Sequence, residues 1–167
     1  HEGTIQNWNG LVWSKQASGT NQFLWNVWGL DASNVWAVGY GGTILKWDGR
    51  AWSSQESGIT DNLYSVWGSD VSNVWAVGCA GAILRWNGSA WSSQSRVTPQ
   101  SLWSVWGSDA SNIWAVGDAG TILKWNGSTW SSQSIGTSQS LRSVWGSDAS
   151  NIWAVGDRGA ILYNSKP

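Results

Sequence analysis

The tripeptide Val-Trp-Gly ends at Gly29, Gly68, Gly107 and Gly146, an interval of 39 residues each time, and most of the chain keeps step with it. A fixed period of roughly 20 to 50 residues means that one supersecondary unit is stacked on copies of itself, as in solenoids and propellers. Such a period sets the architecture before any strand is assigned. At 167 residues the chain has room for one domain built of small modules sharing a core, and not for two independent domains.

The unit from Asn62 to Thr98 reads as four strands. Leu63-Tyr64-Ser65-Val66-Trp67 is β-branched and aromatic and runs into the turn formers Gly68 to Asn73; Val74-Trp75-Ala76-Val77 follows and stops at Gly78. Ala82-Ile83-Leu84-Arg85-Trp86 then meets Asn87-Gly88, a strong hairpin signal, and the mostly polar Ala90-Trp91-Ser92-Ser93-Gln94 emerges as a fourth strand. Four short strands with short connections leave no space for an ordinary helix. The second strand and the middle of the third are apolar on both faces, as in Val35-Trp36-Ala37-Val38 and Ile44-Leu45, so each sheet is covered on both sides. Radial stacking of four-stranded antiparallel sheets meets that requirement, and the expected fold is an all-β β-propeller.

The third-strand pattern occurs five times, at Gly3-Thr4-Ile5, Gly42-Thr43-Ile44, Gly81-Ala82-Ile83, Gly120-Thr121-Ile122 and Gly159-Ala160-Ile161, whereas the other strands occur four times. The expectation is one repeat domain over 1–167. Its blades span about 23–61, 62–100, 101–139 and 140–163, the last completed by N-terminal strands within 3–22, with one third strand redundant. Four such blades can close as a monomer or form half of an eight-bladed homodimer. Large side chains must fill the wedges between blades, and 18 tryptophans suit that task.

Charged residues make up 11% of the chain and the net charge is −1, which gives no basic surface for nucleic acid. No apolar run approaches the length of a membrane helix, and the strands are too short for a membrane barrel, so no membrane insertion is expected. A single cysteine, Cys79, excludes an intrachain disulfide. A chain that begins at His1 and contains no methionine fits a processed secreted product or a trimmed one; of these, a secreted or extracellular protein is the expectation. The sequons at Asn87-Gly88-Ser89 and Asn126-Gly127-Ser128 coincide with tight turns and read as turn chemistry.

Trp36-Ala37-Val38-Gly39, Gly42-Thr43-Ile44-Leu45 and Trp47-Asp48-Gly49-Arg50-Ala51-Trp52 resemble the repeat of the Asp-box propellers, particularly the Ycf48-like ones. The resemblance spans nearly the whole chain. Asp48 keeps the acid of the box, while Asn9, Asn87 and Asn126 replace it in three turns where Asn and Asp tolerate the same backbone. In that family the box is a folding feature, which implies a structural role for Trp47, Trp52, Trp86, Trp91, Trp125 and Trp130. The family likeness implies a fold and, through its assembly factor, a protein-binding scaffold as one function; it carries no activity over.

Catalysis is poorly supported by the residues. Asp31, Asp70, Asp109 and Asp148 repeat in identical turns and read as turn residues; one terminal histidine and one cysteine cannot form a zinc shell, and no metal or cofactor is expected. The informative positions are those that differ between otherwise uniform units. The first strand opens with Trp25, Tyr64, Trp103 and Arg142, and the loop after the second strand carries Tyr40, Cys79, Asp118 and Asp157. In a propeller meander these two sets lie on one face, near the mouth of the channel. Trp25, Tyr64, Trp103, Arg142, Tyr40, Asp118 and Asp157 are therefore the expected ligand-binding residues. Aromatic platforms beside polar groups suit a lectin-like, non-enzymatic module for carbohydrate or small polar ligands. The alternative is a scaffold for another protein, or an amplified or designed array with no small ligand.

Overall fold

In the computed structural model, residues 3–134 and 136–165 are described, and they form an all-β β-propeller arc. Three antiparallel sheets are complete, each a four-stranded meander: β3–β6 (Leu24–Asp31, Asn34–Gly39, Ile44–Trp47, Trp52–Gln55), β7–β10 (Leu63–Asp70, Asn73–Gly78, Ile83–Trp86, Trp91–Ser93) and β11–β14 (Leu102–Asp109, Asn112–Gly117, Ile122–Trp125, Trp130–Ser132). At the N-terminal end β1 (Ile5–Trp8) and β2 (Trp13–Gln16) make a hairpin. At the C-terminal end β15 (Leu141–Gly146), β16 (Asn151–Gly156) and β17 (Ile161–Ser165) make a three-stranded sheet. Completion of the 140–163 blade by N-terminal strands is not made within one chain: β2 pairs with β1, and both outlying third strands, β1 and β17, keep partners of their own. The only helical pieces among the described residues are one-turn 3-10 segments between the second and third strands, and none could cross a membrane.

The blades meet through their first strands, β3 against β7, β7 against β11 and β11 against β15. Each junction repeats two contacts. A tryptophan of one blade lies over the glycine of the next Val-Trp-Gly: a Cβ on Gly68 would stand 2.9 Å from Cη2 of Trp28, on Gly107 2.6 Å from Trp67, and on Gly146 2.7 Å from Trp106. These glycines are required because the indole takes the space of a side chain. An amide of the next first strand donates to a side chain of the blade before it, from Val66 to Asn26 Oδ1 at 3.1 Å, from Val105 to Ser65 Oγ at 3.2 Å and from Val144 to Ser104 Oγ at 3.2 Å. Behind these contacts lies a buried apolar layer, for instance Trp36, Val38 and Ile44 of one blade against Leu63, Val66, Val74 and Leu84 of the next. The third-strand cations cover indoles across the same gap: Lys46 stands 5.2 Å from the Trp36 ring and 5.3 Å from that of Trp86, and Arg85 is placed likewise between Trp75 and Trp125. The box tryptophans serve as structure, since Nε1 of Trp47, Trp86 and Trp125 donates to the carbonyls of Ala32, Val71 and Ala110.

Candidate functional site: an aromatic ledge along the arc

The first strand of every blade begins with an irregularity in its pairing. The register slips by one residue between Leu24 and Asn26, Leu63 and Ser65, Leu102 and Ser104, and Leu141 and Ser143. The residue left over is Trp25, Tyr64, Trp103 or Arg142. A β-bulge frees one residue from the ladder and re-aims its side chain, and here four bulges in register turn four side chains onto one edge of the arc.

The opposing half of the site comes from the 3-10 turns that open at Tyr40, Cys79, Asp118 and Asp157. Each turn is pinned to the start of its own blade: the amides of these four residues donate to the carbonyls of Phe23, Asn62, Ser101 and Ser140 at 2.8–2.9 Å. Residues just before the first strands also tie neighbouring blades together. Asn62 Oδ1 accepts from the Gly41 amide at 3.0 Å, and Ser101 Oγ stands 3.5 Å from the Ala80 amide. Sequence reasoning missed these last residues, because they lie in the variable stretch between blades and belong to no repeated motif.

All seven expected site residues come together in one strip. Trp25 and Tyr40 meet edge to face at 6.3 Å between ring centroids, Trp25 and Tyr64 at 5.2 Å, and Tyr64 and Trp103 stack at 4.4 Å with their planes 20° apart. The Arg142 guanidinium lies 4.8 Å from the Trp103 ring and closes the row. Trp103 Nε1 donates to Asp118 Oδ1 at 2.7 Å, and Arg142 donates to both carboxylate oxygens of Asp157 at 2.9 and 2.7 Å, with Asp118 3.6 Å from its other amino group. Trp25, Tyr64, Trp103 and Arg142 line an open cleft of about 420 Å³.

The electrostatics follow from these contacts. The Arg142 guanidinium holds the Asp157 carboxyl below the ordinary carboxylate value, so both are charged and engaged. Burial against its neighbours pushes the Tyr64 hydroxyl up, which keeps it neutral. Asp118, Asp157 and Arg142 do converge, yet on an open ledge and not around a deep pocket. Cys79 sits half-buried in the same row, in the slot that Tyr40, Asp118 and Asp157 fill in the other blades. His1 lies outside the described residues, and among the described ones no group of three metal-ligating side chains occurs.

The opposite edge carries no such variation. Asp31, Asp70, Asp109 and Asp148 each accept the amide two residues on at 2.8 Å, and Asn87 and Asn126 bind the amides two and three residues on at 2.9–3.0 Å. Both sequons are therefore engaged in turns.

A fan of antiparallel four-stranded meanders, joined side to side through their innermost strands, with a bulge-built ledge at one axial edge, is a β-propeller. Among solved structures the chain is similar to a "YCF48 bound to D1 peptide", with 16% identity and a TM-score of 0.74 over 98% of this chain and 58% of that one. It is also similar to YCF48 from Cyanidioschyzon merolae, with 14% identity and a TM-score of 0.73 over 93% of this chain and 58% of that one. A third is a catalytically inactive virginiamycin B lyase from Staphylococcus aureus, with 10% identity and a TM-score of 0.75 over 98% of this chain and 63% of that one. The chain thus shares the propeller fold of Ycf48 while spanning about three fifths of these proteins. One similar propeller is named for a bound peptide and another for a lyase activity, and the fold alone is common to both. No protein-family model and no curated protein matches the sequence.

Proposed function

We propose that this protein is a non-catalytic propeller scaffold that holds a segment of a partner protein along the ledge from Trp25 to Arg142. The observation that carries the reading is the continuity of that ledge, in which four neighbouring blades contribute one side chain each to an unbroken row. An extended peptide presents side chains at regular intervals, and a row of fixed aromatic edges ending in a guanidinium gives each a place to rest. The likeness to a propeller with a bound peptide points the same way. The acids beside the row are occupied by Arg142 and by the Trp103 indole, which leaves no idle carboxylate to act as a base and supports a binding role over an enzymatic one.

A lectin-like site needs open ring faces for sugars to lie on. Tyr64 and Trp103 lie face to face and Arg142 stands against Trp103, so these rings offer edges more than faces. Trp25 and Tyr40 remain the best sugar platforms. Overlapping peptides and a glycan panel, each probed with the wild type and with Tyr64→Ala, separate the readings. Peptide binding weakened about tenfold or more by the substitution is expected, the loss of one central anchor. Binding confined to glycans, or peptide binding indifferent to Tyr64, overturns the scaffold reading.

A further inference from the structure

The three closed junctions of the arc define what covers each face of a blade, and both end faces show the same features uncovered. Val66 is 3% exposed and its counterpart Val27 is 62% exposed. Trp28, Trp67 and Trp106 each cover a glycine of the following blade, whereas Trp145 is 58% exposed and the nearest atoms to the Cβ position of Gly29 belong to its own blade's Val35 and Asn34. Asn26, Ser65 and Ser104 each receive an amide from the next first strand; the next acceptor in that series is the exposed Ser143, and the next donor is the amide of Val27, at the other end of the arc. Val155 and Ile161 are exposed where Val38, Val77, Ile44 and Ile83 are buried.

We infer that the two end faces are the halves of one blade junction, and that a second copy of this chain covers both, two arcs closing into a ring of eight blades. The seat is already shaped. Between the β1–β2 hairpin and the β3–β6 sheet lies a mostly apolar cleft of about 430 Å³, with Ile5, Leu24, Val27, Val35, Trp47 and Trp52 among its walls and polar Gln6, Asn7 and Gln16 on the hairpin side. It is the space that the first two strands of a blade would occupy, since β1 and β2 are a third and a fourth strand. β15 and β16 of the second copy are such strands, and they bring Trp145 to Gly29 and Ser143 to the Val27 amide. The joined blade gains its fourth strand from β2. A blade holds one third strand, so either β1 or β17 yields its place, and the first-strand contacts are the same in both cases.

A single copy does not close on itself. β2 pairs with β1, β17 pairs with β16, and no strand joins the two end sheets among the described residues, while almost the whole arc matches 58% of a larger propeller chain. With three complete blades per chain and one shared at each junction, two chains complete the circle without leaving an unpaired face. Closure also extends the ledge, because Arg142 of one copy comes beside Trp25 of the other, giving a continuous rim in which the four-residue series occurs twice.

Light scattering on the intact chain, at concentrations on the order of 100 µM where even micromolar association is complete, reads the result. The expected mass is twice 18.1 kDa. Val27→Glu and Trp145→Asp each alter a side chain that is exposed in a single copy, so each is expected to keep the far-UV spectrum and fall to 18.1 kDa. An equimolar mixture of the two variants should regain association, because each keeps one sound end and together they form one junction. A wild-type mass of 18.1 kDa, a doubled mass that survives both substitutions, or open chains longer than two copies would overturn the inference. Should one variant lose its fold, the other, at the opposite end of the arc, decides. Peptide binding by the ledge of a single copy stands or falls separately.

Discussion

The two axial edges of the arc are built from the same strands and behave in opposite ways. On the turn edge every repeat carries the same chemistry, an Asp or Asn whose oxygen accepts amides of its own loop, from Asp31, Asp70, Asp109 and Asp148 in one turn and from Asn9, Asp48, Asn87 and Asn126 in the other. On the ledge edge the main chain does most of that work: the 3-10 turns are held by backbone bonds, helped by Asn62 and Thr43 in the first of them, and the side chains of Tyr40, Cys79, Asp118 and Asp157 are released from any duty to their own loop. Repetition persists where a side chain serves its own backbone. Variation collects where the backbone is fixed by other means, and that is where a partner can be recognised.

The largest effect that tests this division comes from the glycines beneath the ledge. Gly81 has φ +72°, and a Cβ there would fall 1.9 Å from the carbonyl oxygen of Thr98, a backbone atom that cannot move aside. Gly81→Ala is expected to cost about 2–4 kcal/mol, from left-handed strain plus displacement of the loop between blades. Gly41 has φ +62° with nothing within 4 Å of its Cβ position, so Gly41→Ala should cost only about 1–2 kcal/mol of backbone strain. Urea denaturation of the two variants checks the difference; equal losses would mean that the main chain is not what fixes this edge.

Most of the fold is legible in the period, because a 39-residue unit with strands apolar on both faces has few ways to bury them. The position of the ledge residues was legible too, as the points where uniform units diverge. What was not legible is the bulge that puts them there, since no residue type marks the slip between Leu63 and Ser65. Nor was the mutual stacking of Tyr64 and Trp103, which turns two expected platforms into one block, because contact between neighbouring blades depends on the angle between them. The repeat arithmetic predicts a fourth blade completed from the N-terminus. In one chain the local hairpin prevails: Trp8 and Trp13 pair across the Asn9-Gly10 turn, and a short loop closes at far less entropic cost than one spanning the chain.

A smaller effect should come from the turn edge. Asn87 Oδ1 accepts from the amides of Ser89 and Ala90 and from the Ser89 hydroxyl. Asn87→Ala is expected to lower stability by about 1 kcal/mol, the net worth of exposed hydrogen bonds in a turn, with peptide binding unchanged. Tyr64→Ala should weaken binding and lower stability as well, because the ring also packs between Trp25 and Trp103. A loss of binding in Asn87→Ala would show that the edges are coupled through the blade.

The smallest effect separates the two edges by the cause of their acidity. Asp31 is held below the ordinary carboxylate value of 3.8 chiefly by the Ser33 amide, and Asp148 chiefly by the Asn151 side chain, whereas Asp157 is held there chiefly by Arg142. In each case the folded carboxyl is the stronger acid, so its contribution to stability is present in full above the unfolded value and is lost as pH falls from about 4 through the lower folded values. Arg142→Gln removes the cause on the ledge and leaves the turns untouched. A carboxyl titration by NMR should then show Asp157 returning toward the ordinary value while Asp31 and Asp148 stay depressed. If Asp157 stays depressed without the guanidinium, its acidity comes from within its own turn, where Arg158 is the remaining cation, and Arg142 is not what sets the charge of the ledge.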